Sequence, residues 1–132
     1  EYDAVWCIFD MDKENENPEN YKKALKKAND NNSYVAKVFP CFELWLLLHF
    51  NKSLKPYSNC KNLTKDLKNE IPDYDKSEKY FKTKNFPALL EHELDDAIDN
   101  SIKLEEHNEE HQTNSSICDI YKIIQNIRKL SK

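Results

Sequence analysis

The chain has 132 residues, 39% hydrophobic and 33% charged, which suits one domain, or a piece of a larger one, with an apolar core. Its net charge of −4 excludes a general basic field that would draw in nucleic acid. The absence of glycine, against about nine residues at average usage, excludes the Gly-rich phosphate loops of nucleotide-binding folds.

Without glycine, tight turns and left-handed helix caps fall to Asn and Asp. The four cysteines, Cys7, Cys41, Cys60 and Cys118, form no CxxC pair. That spacing is neither a disulfide framework nor a zinc ribbon, and a reducing cytosol is the expected compartment. No signal peptide is expected, and the longest apolar run, LWLLL at 44–48, is far too short to span a membrane.

Residues 4–9 (AVWCIF) form a continuous apolar run with β-branched and aromatic residues, the pattern of a parallel strand buried on both faces. A polar stretch follows. Pro18 suits a first helical turn with Asn17 as its cap, and Tyr21, Ala24, Leu25 and Ala28 then recur at helical spacing. Residues 29–33 break the helix, and 34–39 (YVAKVF) read as a second strand. Strand, helix, strand in this order predicts a βαβ unit with parallel strands and a right-handed crossover. The sequence starts at Glu1 almost directly in a strand. Because two strands alone make a marginal sheet, further strands are expected before Glu1, with this chain starting internally.

Pro40 ends the second strand. Residues 41–50 (CFELWLLLHF) are apolar on nearly every side, which predicts a buried helix interrupted only by Glu43 and His49. From Lys52 to Lys84 nine lysines face five acidic residues in weak helical patterns. From Pro87 the stripe Leu90, Leu94, Ala97, Ile98 and Ile102 predicts an amphipathic helix over 87–111. Its outer face is acidic, with nine Asp or Glu and one Lys between Glu91 and His111. Ile117, Ile120, Tyr121, Ile124 and Ile127 mark a final helix, and Ser116 with Asp119 fits a capping box in which Asp replaces the usual Glu.

Asp10 and Asp12 stand where the first strand leaves the core. Residues two apart in a strand share a face, and ligands of an open parallel sheet bind beyond the carboxyl ends of its strands. Two carboxylates there repel unless a cation lies between them, and Mg²⁺ takes one or two carboxylates with water and substrate phosphate. The alternative is that both aspartates begin a solvated loop. Glu43 is likewise open to two readings. An acidic side chain in a first helical turn meets free N–H groups, or it joins Asp10 and Asp12 at the same sheet edge. His49 lies roughly 120° from Glu43 around the helix and reads as a hydrogen-bonded core residue or, less directly, a ligand. His107 and His111, an i, i+4 pair among acids, read as a solvated face or a surface metal site, and the lysine-rich middle as a solvated face or a contact for a nucleic-acid backbone.

The segments VWCIFDMD and PCFELWLLLHF together resemble the RloB-like family, which includes the AbiLii abortive-infection proteins. The resemblance covers residues 2–50 well and extends loosely to the end. There TNSSICDIYKII looks like that family's Asn-Pro-x-Thr segment and last helix, with Asn114 or Ser115 at the Asn position. It implies a Toprim-like fold: residues 1–50 as part of an α/β core with a parallel βαβ sheet, and residues 51–132 as a mainly helical extension packed on it. It also implies a cytoplasmic Mg²⁺- or Mn²⁺-dependent nuclease of antiviral defence, acting on nucleic acid beside an ABC- or AAA-type ATPase. Carried over, Asp10 and Asp12 become metal ligands, Glu43 a candidate catalytic residue and His49 a weaker one. Three departures stand out. The family's N-terminal glutamate would precede Glu1, Phe39 stands where Asn is expected before Pro40, and the Asn-Pro-x-Thr segment is degraded. A chain that folds yet lacks catalytic competence is therefore a further expectation. A rival from another class is a non-catalytic interaction module for the ATPase, drawn from the acidic helix and the helical C-terminal half.

Overall fold

The computed structural model describes residues 4–11, 17–51, 54–112 and 116–130. Strand β1 (Trp6–Asp10) pairs in parallel with β2 (Tyr34–Phe39), in register from Trp6↔Tyr34 to Asp10↔Val38. The crossover is α1 (Pro18–Asp30), with Pro in its first turn and the Asn17 side chain accepting from the Asn20 N–H. This is the cap and start that the sequence predicts. Asn32, just past the helix, takes a left-handed φ of 56°, the role expected of Asn in a glycine-free chain. Among the described residues a second left-handed position, φ 52°, falls to Gln112, which the composition did not single out.

The sheet gains a third strand that the sequence did not reveal. Strand β3 (Ile117–Cys118) runs antiparallel to β2, so the order is β1-β2-β3 and β2 is central. Ala36 and Val38 of β2 are fully buried, whereas Val5, Ile8 and Tyr34 are about half exposed. The expectation that the first strand is buried on both faces is therefore not met. Among the described residues β1 has a partner strand on one side only.

After a cis Phe39–Pro40 peptide, the chain enters α2 (Glu43–Leu48), a helix whose every residue is buried. It is shorter than the predicted 41–50, with its last turn continued by His49 and Phe50 N–H bonds to Leu46 and Leu47 carbonyls. Around it pack α3 (Cys60–Glu70), through Leu63 and Leu67, and α6 (Leu94–His111), through Ala97, Ile98 and Leu104. Each fully buried leucine here contributes about 1.5–3 kcal/mol. Asn100 donates to the Leu48 carbonyl at 2.8 Å, satisfying one of the acceptors that the helix end exposes.

The helix predicted over 87–111 is broken. Two short helices, α4 (Glu78–Thr83) and α5 (Phe86–Leu90), and a 3-10 turn at Glu91–Glu93 precede α6. The Asn85 side chain accepts from the Ala88 N–H and Pro87 sits in the first turn, so a separate start is built at 85–88. The last helix, α7 (Ile120–Leu130), packs against β2, and Asn126 accepts from the Trp6 indole at 3.4 Å. The capping box at Ser116 does not form. Ser116, fully buried, donates to the Lys55 carbonyl and accepts from the Tyr57 N–H, pinning the 54–58 segment. Residues 117–118 are strand, and Asp119 instead accepts from the Lys37 N–H of β2. Satisfying buried backbone groups outweighs a local cap here. The chain is thus mixed α/β, with one parallel strand pair and a mostly helical C-terminal half. No described helix is long and apolar enough to cross a membrane.

Candidate functional site

The carboxyl edge of the parallel pair is where β1 delivers Asp10. The Met11 N–H bonds the Val38 carbonyl at 2.9 Å, so this edge meets β2 two residues before Pro40 and the turn into α2. Half-buried Asp10 opens on a cleft of about 360 Å³ between β1 and the first turns of α1, with Asn17, Asn20 and Tyr21 on the helix side. The polar groups there are a carboxylate, two amides and a phenol. Hard divalent cations take this kind of oxygen donor, and softer metals do not favour it. Asp12, the second aspartate of the motif, lies outside the described residues, as do Asn114 and Ser115.

Glu43 opens α2, as the first-turn reading requires, but its carboxylate turns toward the helical half. It is 5% exposed, and its partner is the Lys76 ammonium at 2.8 Å. The sulfurs of Cys41 and Cys60 lie within 4.8 Å of it, and Cys41 and Cys60 are joined by a disulfide with Cα atoms 5.8 Å apart. Among the described residues these three form the single group of three or more close metal-binding side chains, and the sulfurs are already bonded to each other. Glu43 and His49 do not line the Asp10 cleft. The cysteine spacing disclosed no pairing, and the structure differs from the thiol reading at Cys41 and Cys60. Lys76 was also missed. The one signal for it was Glu43 itself, because a buried carboxylate requires a cation or donors, but nothing named which lysine.

His49 is buried, with Nδ1 2.7 Å from the Trp45 carbonyl and its ring edge-on to the Trp45 indole. Burial pulls its pKa below the ordinary histidine value, although the backbone hydrogen bond partly opposes this. The neutral ring, with Nδ1–H donating, suits these surroundings. His107 and His111 stack 4.2 Å apart near the end of α6, and His111 Nδ1 lies 3.0 Å from the His107 carbonyl. The remaining described cysteines are unpaired, and burial pushes the Cys118 thiol up to about 12, which makes it a poor nucleophile or ligand.

In comparisons with known proteins, residues 1–127 match the family model described as RloB-like protein. No curated protein matches, and no solved structure matches.

Proposed function

The chain belongs to the RloB-like family, and from that premise we propose that it is part of a metal-dependent nuclease of Toprim type, hydrolysing nucleic-acid phosphodiesters in phage defence beside an ABC-type ATPase. The observation that supports this most is the position of Asp10, at the carboxyl edge of a parallel strand and on a cleft where Asn17, Asn20 and Tyr21 stand among the apolar Ile8, Phe9 and Ala24. In this reading Asp10 and Asp12 hold Mg²⁺ or Mn²⁺. A bound ion there would polarise a phosphoryl oxygen and supply an activated water. The first turn of α1 borders the same cleft, and its positive end favours the phosphate. Glu43 and His49 enter as positioning residues, Glu43 tying the start of α2 to Lys76 of the helical half and His49 closing the end of α2 on the Trp45 carbonyl.

The test is cleavage of end-labelled single-stranded and duplex DNA and RNA with Mg²⁺ or Mn²⁺. Cleavage is expected to vanish with EDTA and to fall by orders of magnitude in Asp10→Asn. Cleavage without metal, or an unchanged rate in the variant, would sink the reading. The acidic outer face between Glu91 and His111 supports a second one, a docking module for the ATPase. If Asp10→Asn with Asp12→Asn still confers phage resistance in the full-length protein, the docking module is the better account.

A further inference from the structure

The lysines of the middle segment are not evenly spread. Lys61, Lys65 and Lys68 recur at i, i+4 and i+7 and form an exposed row on one side of α3, away from the fully buried Leu63 and Leu67. Lys76 lies on the same groove, of about 750 Å³, which Asn62 and Thr64 also line. Among the described residues, no carboxylate lines this groove. The nearby buried acid, Glu43, is paired by Lys76, whose ammonium also sits 3.2 Å from the Cys60 sulfur. Other lysines of the segment are paired within the fold: Lys55 with Asp66, Lys82 with Glu78 and Lys84 with Asp73. Among the described residues, no carboxylate stands within ion-pair distance of Lys61, Lys65 or Lys68.

Like charges three and four apart on a helix repel, and among the described residues none of the three is ion-paired, although Asp66, held by Tyr57 and Lys55, is near enough to feel the Lys65 charge. The chain as a whole, these lysines included, is acidic, with a net charge of −4. A concave surface lined by three lysines without an ion-pair partner, by Lys76, whose charge Glu43 already meets, and by hydroxyl and amide donors is complementary to a row of phosphates.

We propose that this groove binds the phosphodiester backbone of a nucleic acid, independently of sequence. The proposal rests on the nuclease reading for its choice of polyanion, but the binding it describes needs neither metal nor cleavage.

The test is fluorescence anisotropy with short fluorescein-labelled oligonucleotides (single-stranded DNA, single-stranded RNA and duplex DNA), in EDTA over a series of salt concentrations. Wild type is expected to bind at low salt and to weaken as salt rises. The variant K61Q/K65Q/K68Q is expected to bind at least tenfold more weakly, with a salt slope shallower by about 2, because each lost phosphate contact removes about 0.7–0.9. The control K22Q/K23Q/K27Q removes the same charge from exposed positions of α1 and is expected to keep wild-type affinity. The variant K61R/K65R/K68R keeps the charge and is expected to retain binding. It also keeps the proposal falsifiable if the glutamine variant fails to fold, since weak binding by a folded arginine variant counts against the groove. The proposal is overturned if wild type does not bind, or if the α1 control loses as much as the groove variant. It is also overturned if the groove variant changes only self-association, measured by light scattering, which would make the row a contact between copies.

Discussion

Glu43 and His49 show what a polar side chain costs inside an otherwise apolar helix. The Glu43 carboxylate is buried while Lys76 is more than half exposed, so the two ends of the ion pair are unequal. Removing the exposed partner leaves the buried one uncompensated. Lys76→Met is therefore expected to lower unfolding free energy by about 1–3 kcal/mol in urea denaturation, whereas Lys82→Met, on the surface pair with Glu78, changes it by less than about 1 kcal/mol. Equal effects would contradict this assignment. His49 makes a pH prediction. Its pKa is lowered in the fold, so the unfolded chain binds the proton more readily. Stability is fully present above the unfolded value near 6.5 and falls as pH drops from there toward the lowered value. Stability curves of wild type and His49→Phe should thus differ in slope below about pH 6.5, the variant being flatter. The sequence marked both residues as anomalies because charge and apolar periodicity conflict within 41–50. It was silent on Lys76, because 33 positions separate the partners and only the packing of the helical half closes that distance.

Elements with a long, regular pattern were legible, and short or interrupted ones were not. The crossover helix showed its cap at Asn17 and its proline, and β2 showed six residues of strand character, so the βαβ unit was readable. Strand β3 is two residues long, too short for a period-2 pattern, and its identity depends on Val38 and Phe39 beside it. The helix break at 91–93 was hidden because an apolar stripe continues through it, while Asn85 decides the start locally. The pairing of Cys41 with Cys60 likewise depends on how α3 packs beside α2. That disulfide ties the entry of α2 to the start of α3 across 19 positions. Closing a loop of this size limits the unfolded chain, by about 3 kcal/mol in the chain-entropy account. Cys60→Ser, or reduction of wild type, is expected to lower unfolding free energy by about that amount, with no further effect of reductant on the variant. A variant as stable as oxidised wild type would contradict the link.

At the scale of the whole molecule, the fold brings β1, β2 and the start of α2 to one edge of the sheet, while the acidic face of α6 and the lysine row of α3 present opposite charge. The edge was foreseeable because parallel strands with a helical crossover end together and two aspartates follow the first. The lysine row was visible only as an excess of charge. Its grouping in a groove includes Lys76, which the fold brings back from beyond the end of α3. Of the two carboxylates on which the nuclease reading depends, Asp10 stands at the edge as expected, and the account requires Asp12 to join it around one ion. The most direct measurement is calorimetric titration of Mn²⁺ and Mg²⁺ into wild type, Asp10→Asn and Asp12→Asn. Wild type is expected to show one saturable site, with affinity at least tenfold weaker, or about 1.4 kcal/mol, in each variant. Equal heats in all three proteins, or no saturable site in wild type, would contradict the metal site.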